Sequence, residues 1–162
     1  MKTKPPIEVI KESGIYLLAA LFYSLMIFFF TSAISEFVLF LIGAFMGVGY
    51  AIIDEEYLYT LYQDDENKDK KFFVSQSSLY MLSLIPTSIF VFTSSGSFMA
   101  MGLMGGLILF FLVEMAKQMK TPELFFSKFL SLTDFNPSRE NLQKILAGSV
   151  AFFIVLHFLV LL

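Results

Sequence analysis

The chain has 162 residues, of which 57% are hydrophobic and only 15% charged, with a formal net charge of −3. A soluble domain carries nearer a quarter charged residues, and here the 42 residues from Phe72 to Val113 include no Asp, Glu, Lys or Arg. That run is about two bilayer crossings at ~20 residues each, which excludes a soluble single domain. With no Cys, the chain has no disulfide, thiolate metal site or thiol nucleophile. His157 is the single histidine and Arg139 the single arginine, so multi-imidazole metal centres and arginine clusters for phosphate are out within one chain. The negative balance gives no pull toward nucleic acid.

The charge-poor stretches predict an all-α polytopic membrane protein, a single transmembrane domain over residues 1–162. Five spans are expected, at about 14–33, 37–58, 72–93, 99–115 and 145–162. Backbone groups in lipid must be satisfied within the segment, which makes these spans helices. The first span continues through Phe28, Phe29 and Phe30 with no small-residue cleavage site, which argues against a signal peptide. Tyr57, Tyr59 and Tyr62 supply an interfacial belt for the second span in a chain without Trp. The run from Asp64 to Lys71 mixes both signs. It lacks the EF-hand spacing and turn glycine, so it reads as a solvated loop.

Between spans four and five, Thr121, Pro122 and Glu123 resemble an N-cap, a first-turn proline and a first-turn acid. They open a short amphipathic helix at about 122–132, with Glu123, Ser127, Lys128 and Ser131 on one arc and Leu124, Phe125, Phe129 and Leu132 opposite. Too short to span, it is expected to lie on the inner membrane surface. Asn136 and Pro137 repeat the cap-and-proline signal ahead of the fifth span.

Five spans make two sets of flanks, and all eleven Lys and Arg residues fall on one set: the N-terminus, residues 59–71 and residues 116–144. The positive-inside rule then places the N-terminus in the cytoplasm and the C-terminus outside, in the cell membrane. A faint repeat accompanies this pattern. Ile27–Ser32 resembles Ile89–Ser94, each followed by a glycine-bearing span that ends in an acid, Asp54 or Glu114. Two parallel hairpins related by an axis along the membrane normal are one reading, and chance similarity in a Phe- and Ser-rich chain is the other.

Polar residues inside a bilayer are costly and face the bundle or a cavity. On span two, Gly43, Gly47, Tyr50 and Asp54 form one helical stripe. On span three, Gln76, Tyr80, Ser83 and Thr87 form another, and Pro86 frees the carbonyl of Leu82. On span four, Gly102 and Gly106 lie four apart and Glu114 sits near the inner end. The glycine pairs read as helix-packing positions. Asp54, Glu114, Gln76 and Tyr80 are the candidate polar or ion site, since two close carboxylates raise one pKa or recruit a cation. Alternatively these acids mark where helices leave lipid, with Glu114 paired to Lys117 at i,i+3. His157, among Phe and Leu, reads as a neutral ring hydrogen-bonded to another helix.

No nucleophile elbow, H-E-x-x-H or P-loop is present. No cofactor is expected and catalysis is not the leading reading. The leading expectation is a small non-catalytic scaffold or interaction subunit. Its partners are the lipid bilayer and either other membrane proteins or a second copy, with no nucleic acid. The alternatives are an oligomeric cation- or proton-coupled transporter or channel, and, more weakly, a lipid-handling enzyme at the inner leaflet.

Overall fold

The computed structural model describes residues 6–54, 78–130 and 138–161, and among these it is helical without strands. Among the described residues six helices follow in order: α1 Pro6–Phe28, α2 Ile34–Ile53, α3 Ser78–Ser94, α4 Phe98–Lys117, α5 Pro122–Phe129 and α6 Arg139–Leu161. A single 3-10 turn, Gln118–Lys120, joins α4 to α5. Among the described residues, three segments are long and apolar enough to cross a membrane: Ile34–Ile53, Phe98–Lys120 and Arg139–Phe158. The apolar parts of α1 (Ser13–Phe28) and α3 are shorter.

The helix boundaries follow local chemistry. α1 ends at Phe28, five residues before the end expected from hydropathy. The reason is Glu36, whose carboxylate accepts from the backbone N–H groups of Ser32 and Ala33 and so starts α2 early. Two donors at the new helix entry are thereby satisfied. Ser97 caps α4 by accepting from the Ala100 N–H, and Gly96 ahead of it takes a φ of 58° that favours glycine. Ser138 accepts from the Asn141 N–H and caps α6; Asn136 and Pro137, expected to open that helix, lie outside the described residues. Thr121 occupies the cap position of α5 without a side-chain cap bond, and Pro122 follows in the first turn.

α4 is the core helix, with most of its length buried. α2 lies along it in backbone contact. A Cβ built on Gly43 would meet the Met99 carbonyl oxygen at 2.1 Å, and one on Gly47 the Leu103 oxygen at 2.2 Å. Reciprocally, a Cβ on Gly102 would meet the Phe40 oxygen at 2.2 Å and one on Gly106 the Ala44 oxygen at 2.3 Å. Both series advance in the same direction, so α2 and α4 run parallel. They also interchange under a shift of about 59 residues, as a local two-fold relation between the helices requires.

α1 packs on α2 and α4, and α6 packs on α3 and α4. The C-terminal halves of α1, α3 and α6 meet where His157 contacts Tyr23 and Phe92. Those three helices therefore run together, opposite to α2 and α4. α5 is docked rather than splayed: Phe125, Phe126 and Phe129 are buried, with Phe129 5.6 Å from Phe111. Leu124, placed by the helical wheel on the apolar arc, is exposed.

The outer surface is apolar. Phe22, Leu79, Phe90 and Phe158 are each more than 60% exposed, whereas Ser13, Ser24, Asp54, Ser78, Ser88 and Glu114 are buried. A soluble monomer does not expose apolar surface on this scale. Buried carboxyl and hydroxyl groups beneath a largely apolar outer surface fit a helix bundle in lipid.

Candidate functional site

The site candidates gather at the end of the bundle where α4 terminates. Glu114, on the last turn of α4, is 4% exposed. Its Oε2 accepts from the Tyr16 hydroxyl of α1, and its Oε1 accepts from the Gln118 side-chain amide. Lys117 Nζ stands 3.6 Å from Oε2 and donates to the Tyr16 hydroxyl at 2.5 Å. The same ammonium lies 4.4 Å from the centre of the Tyr16 ring, which also stacks on Phe110 at 4.8 Å. A buried carboxylate is tolerable only when its lone pairs are used in this way. The local cost is Gln118 Oε1, a buried acceptor with no partner among the described residues.

Asp54 is 5% exposed and caps the end of α2, its N–H reaching the carbonyls of Tyr50 and Ala51. Tyr80 of α3 lies within electrostatic range of both Asp54 and Tyr50 and packs 6.5 Å from Phe111. The parallel register puts the two acids at one level. Seven residues along both helices from the contact between Gly47 and Leu107 lie Asp54 and Glu114. Glu114 is hydrogen-bonded to Tyr16 of α1, and Asp54 lies within electrostatic range of Tyr80 of α3. Gln76, the fourth member of the expected site, lies outside the described residues.

The expected polar stripes hold only in part. Gly43, Gly47 and Asp54 are buried, but Tyr50 turns outward, 45% exposed. On α3, Ser83, Pro86 and Thr87 also face outward. The hydroxyls of Ser83 and Thr87 donate to the carbonyls of Tyr80 and Ser83 on their own helix. That internal bond makes a lipid-facing hydroxyl cheap and explains the departure. The buried hydroxyls of α3 are instead Ser78 and Ser88.

The α1 contribution is not apparent from local pattern alone. Ser13, Tyr16, Ala20, Tyr23 and Ser24 form its buried face; their spacing of three, four, three and one is the available signal. Tyr23 also meets His157, 2.7 Å from its Nε2, while His157 Nδ1 is 2.7 Å from the Phe153 carbonyl oxygen. A carbonyl only accepts, so Nδ1 carries the proton and a neutral ring accepts from Tyr23 at Nε2. Gly105 makes room for this contact, since a Cβ there would fall 2.2 Å from the Tyr23 hydroxyl.

No group of three or more acidic or imidazole side chains able to hold a metal occurs among the described residues. A cavity of about 490 Å³ lies between α3 and α6, and neither Asp54 nor Glu114 lines it. Comparison with protein families, curated proteins and solved structures finds no match to this chain, so its site must be interpreted from its own geometry.

Proposed function

We infer that this chain is a small, non-catalytic integral membrane protein that crosses the bilayer five times and serves as a scaffold or interaction subunit. α1, α2, α3, α4 and α6 are the crossings. The N-terminus and the charged end are cytoplasmic, the C-terminus is outside, and α5 sits at the inner surface. The alternating helix directions and the one-sided placement of all eleven basic residues support this topology. Partners are met within the bilayer, through the apolar outer faces, or at the cytoplasmic end.

One observation carries the choice of a structural role over transport: Glu114 is engaged by Tyr16, Gln118 and Lys117, and so ties α1 to α4. The glycine seam between α2 and α4 adds to it, because helices in backbone contact leave no aqueous path between them. The competing reading is an oligomeric cation- or proton-coupled transporter or channel. Buried Asp54, within electrostatic range of Tyr80 and level with Glu114, is the observation in its favour.

Purified protein in liposomes separates the two. The structural reading expects no proton or cation flux from the parent, and Asp54→Asn and Glu114→Gln to change stability alone. A parental flux that either variant abolishes would replace it with the transport reading.

A further inference from the structure

Among the described residues, α3 and α6 pack together yet leave an apolar slot between them. The slot, of about 490 Å³, is floored by Ile108, Phe111 and Leu112 of α4 and stopped at the charged end by Phe125 of α5. Its volume falls in the ~300–1,000 Å³ range of ligand sites. Leu82, Ile85 and Gly148 along its lips are exposed, and a Cβ built on Gly148 would meet nothing within 4 Å. Its polar lining is confined to Ser78, Lys144 and Ser149, with Ser78 and Lys144 at the end where the basic residues collect.

We propose that this slot is a lateral lipid site that holds an acyl chain of an anionic phospholipid of the inner leaflet, with the headgroup phosphate on Lys144. The inference rests on the membrane reading above. A laterally open apolar slot inside hydrocarbon fills with the medium around it, because an empty one forfeits dispersion contacts on every wall. A neighbouring protein helix gains no hydrophobic advantage over lipid there. Charge then selects among lipids. Lys144 stands at the mouth, and its ammonium pairs with Glu140 at 2.7 Å, with both side chains largely exposed. Exposed i,i+4 pairs are weak and yield readily to a phosphate. Ser78 places a further hydroxyl at the same end.

The chain has no Trp, so Phe152→Trp places a single reporter in the slot wall, and Phe158→Trp places one on the outer apolar surface. Each full-length variant is reconstituted in phosphatidylcholine vesicles doped with a minority of brominated-acyl lipid, either phosphatidylglycerol or phosphatidylcholine. Flotation with the vesicles checks the membrane reading separately. The proposal expects brominated phosphatidylglycerol to quench the Phe152→Trp signal with about fivefold higher apparent affinity than brominated phosphatidylcholine, the preference one lysine near an anionic headgroup supplies. Lys144→Gln abolishes the preference, and Gly148→Leu, which has room to fold, weakens quenching by both lipids. The Phe158→Trp reporter shows no preference. Equal quenching of Phe152→Trp by the two lipids means ordinary boundary lipid and overturns the proposal. Absence of quenching in protein that floats means the slot is closed by protein, and overturns it too.

Discussion

Replacing Gly47 with Ala tests the α2–α4 seam with a single methyl group. The added Cβ would sit 2.2 Å from the Leu103 carbonyl oxygen and 2.9 Å from the Leu107 nitrogen. Ordinary contact begins at 3.4 Å, so about 1.2 Å must be opened against backbone, which cannot rotate away as a side chain can. A gap of ~0.5–1 Å already forfeits a quarter to a half of a dispersion contact, and the loss extends over the paired glycines at 43, 102 and 106. Overpacking of this kind costs about 1–3 kcal/mol, and the rigid backbone contact puts Gly47→Ala at the upper end. Gly49, two residues on in the same helix, is the control: a Cβ there meets nothing within 4 Å. Gly49→Ala should be neutral or gain up to ~1 kcal/mol of helix propensity. Unfolding in mixed micelles, followed by helical circular dichroism, reads both. Equal stabilities for the two variants would refute backbone contact at Gly47.

Tyr16→Phe removes the hydroxyl between Glu114 and Lys117 and should cost about 1–3 kcal/mol in the same assay, the penalty for a buried charged group losing a donor. An unchanged midpoint would show that Glu114 does not depend on α1. Tyr23→Phe and His157→Phe, singly and together, should give a coupling of about 0.6–1.7 kcal/mol, as interhelical hydrogen bonds in membranes do. Additive effects would mean the two side chains act independently.

Much of the architecture is legible in composition because lipid imposes one rule on every crossing. Apolar runs give α2, α4 and α6, and the four-residue spacing of glycines marks the faces on which α2 and α4 meet. The ion pair of Glu114 with Lys117 is equally local. What is not legible is partnership across the bundle. Tyr16 and Glu114 are 98 residues apart, Tyr23 and His157 134 apart, and no local pattern couples them. Spacing also overstates the polar stripes, because a Ser or Thr that bonds its own helix can face lipid, as Ser83 and Thr87 do. The early stop of α1 turns on one side chain, Glu36, reaching back over the turn.

The central claim is five crossings with the charged end in the cytoplasm, and the absence of native Cys makes a direct measurement possible. Ser32 and Ser95 lie exposed at the two uncharged turns, and Lys120 lies exposed at the opposite end. Single variants Ser32→Cys, Ser95→Cys and Lys120→Cys are treated in intact cells with a membrane-impermeant maleimide, before and after permeabilisation. The account predicts that Ser32→Cys and Ser95→Cys label from outside and that Lys120→Cys labels only once the membrane is opened. Labelling of Lys120→Cys in intact cells, or protection of Ser95→Cys until permeabilisation, would contradict it.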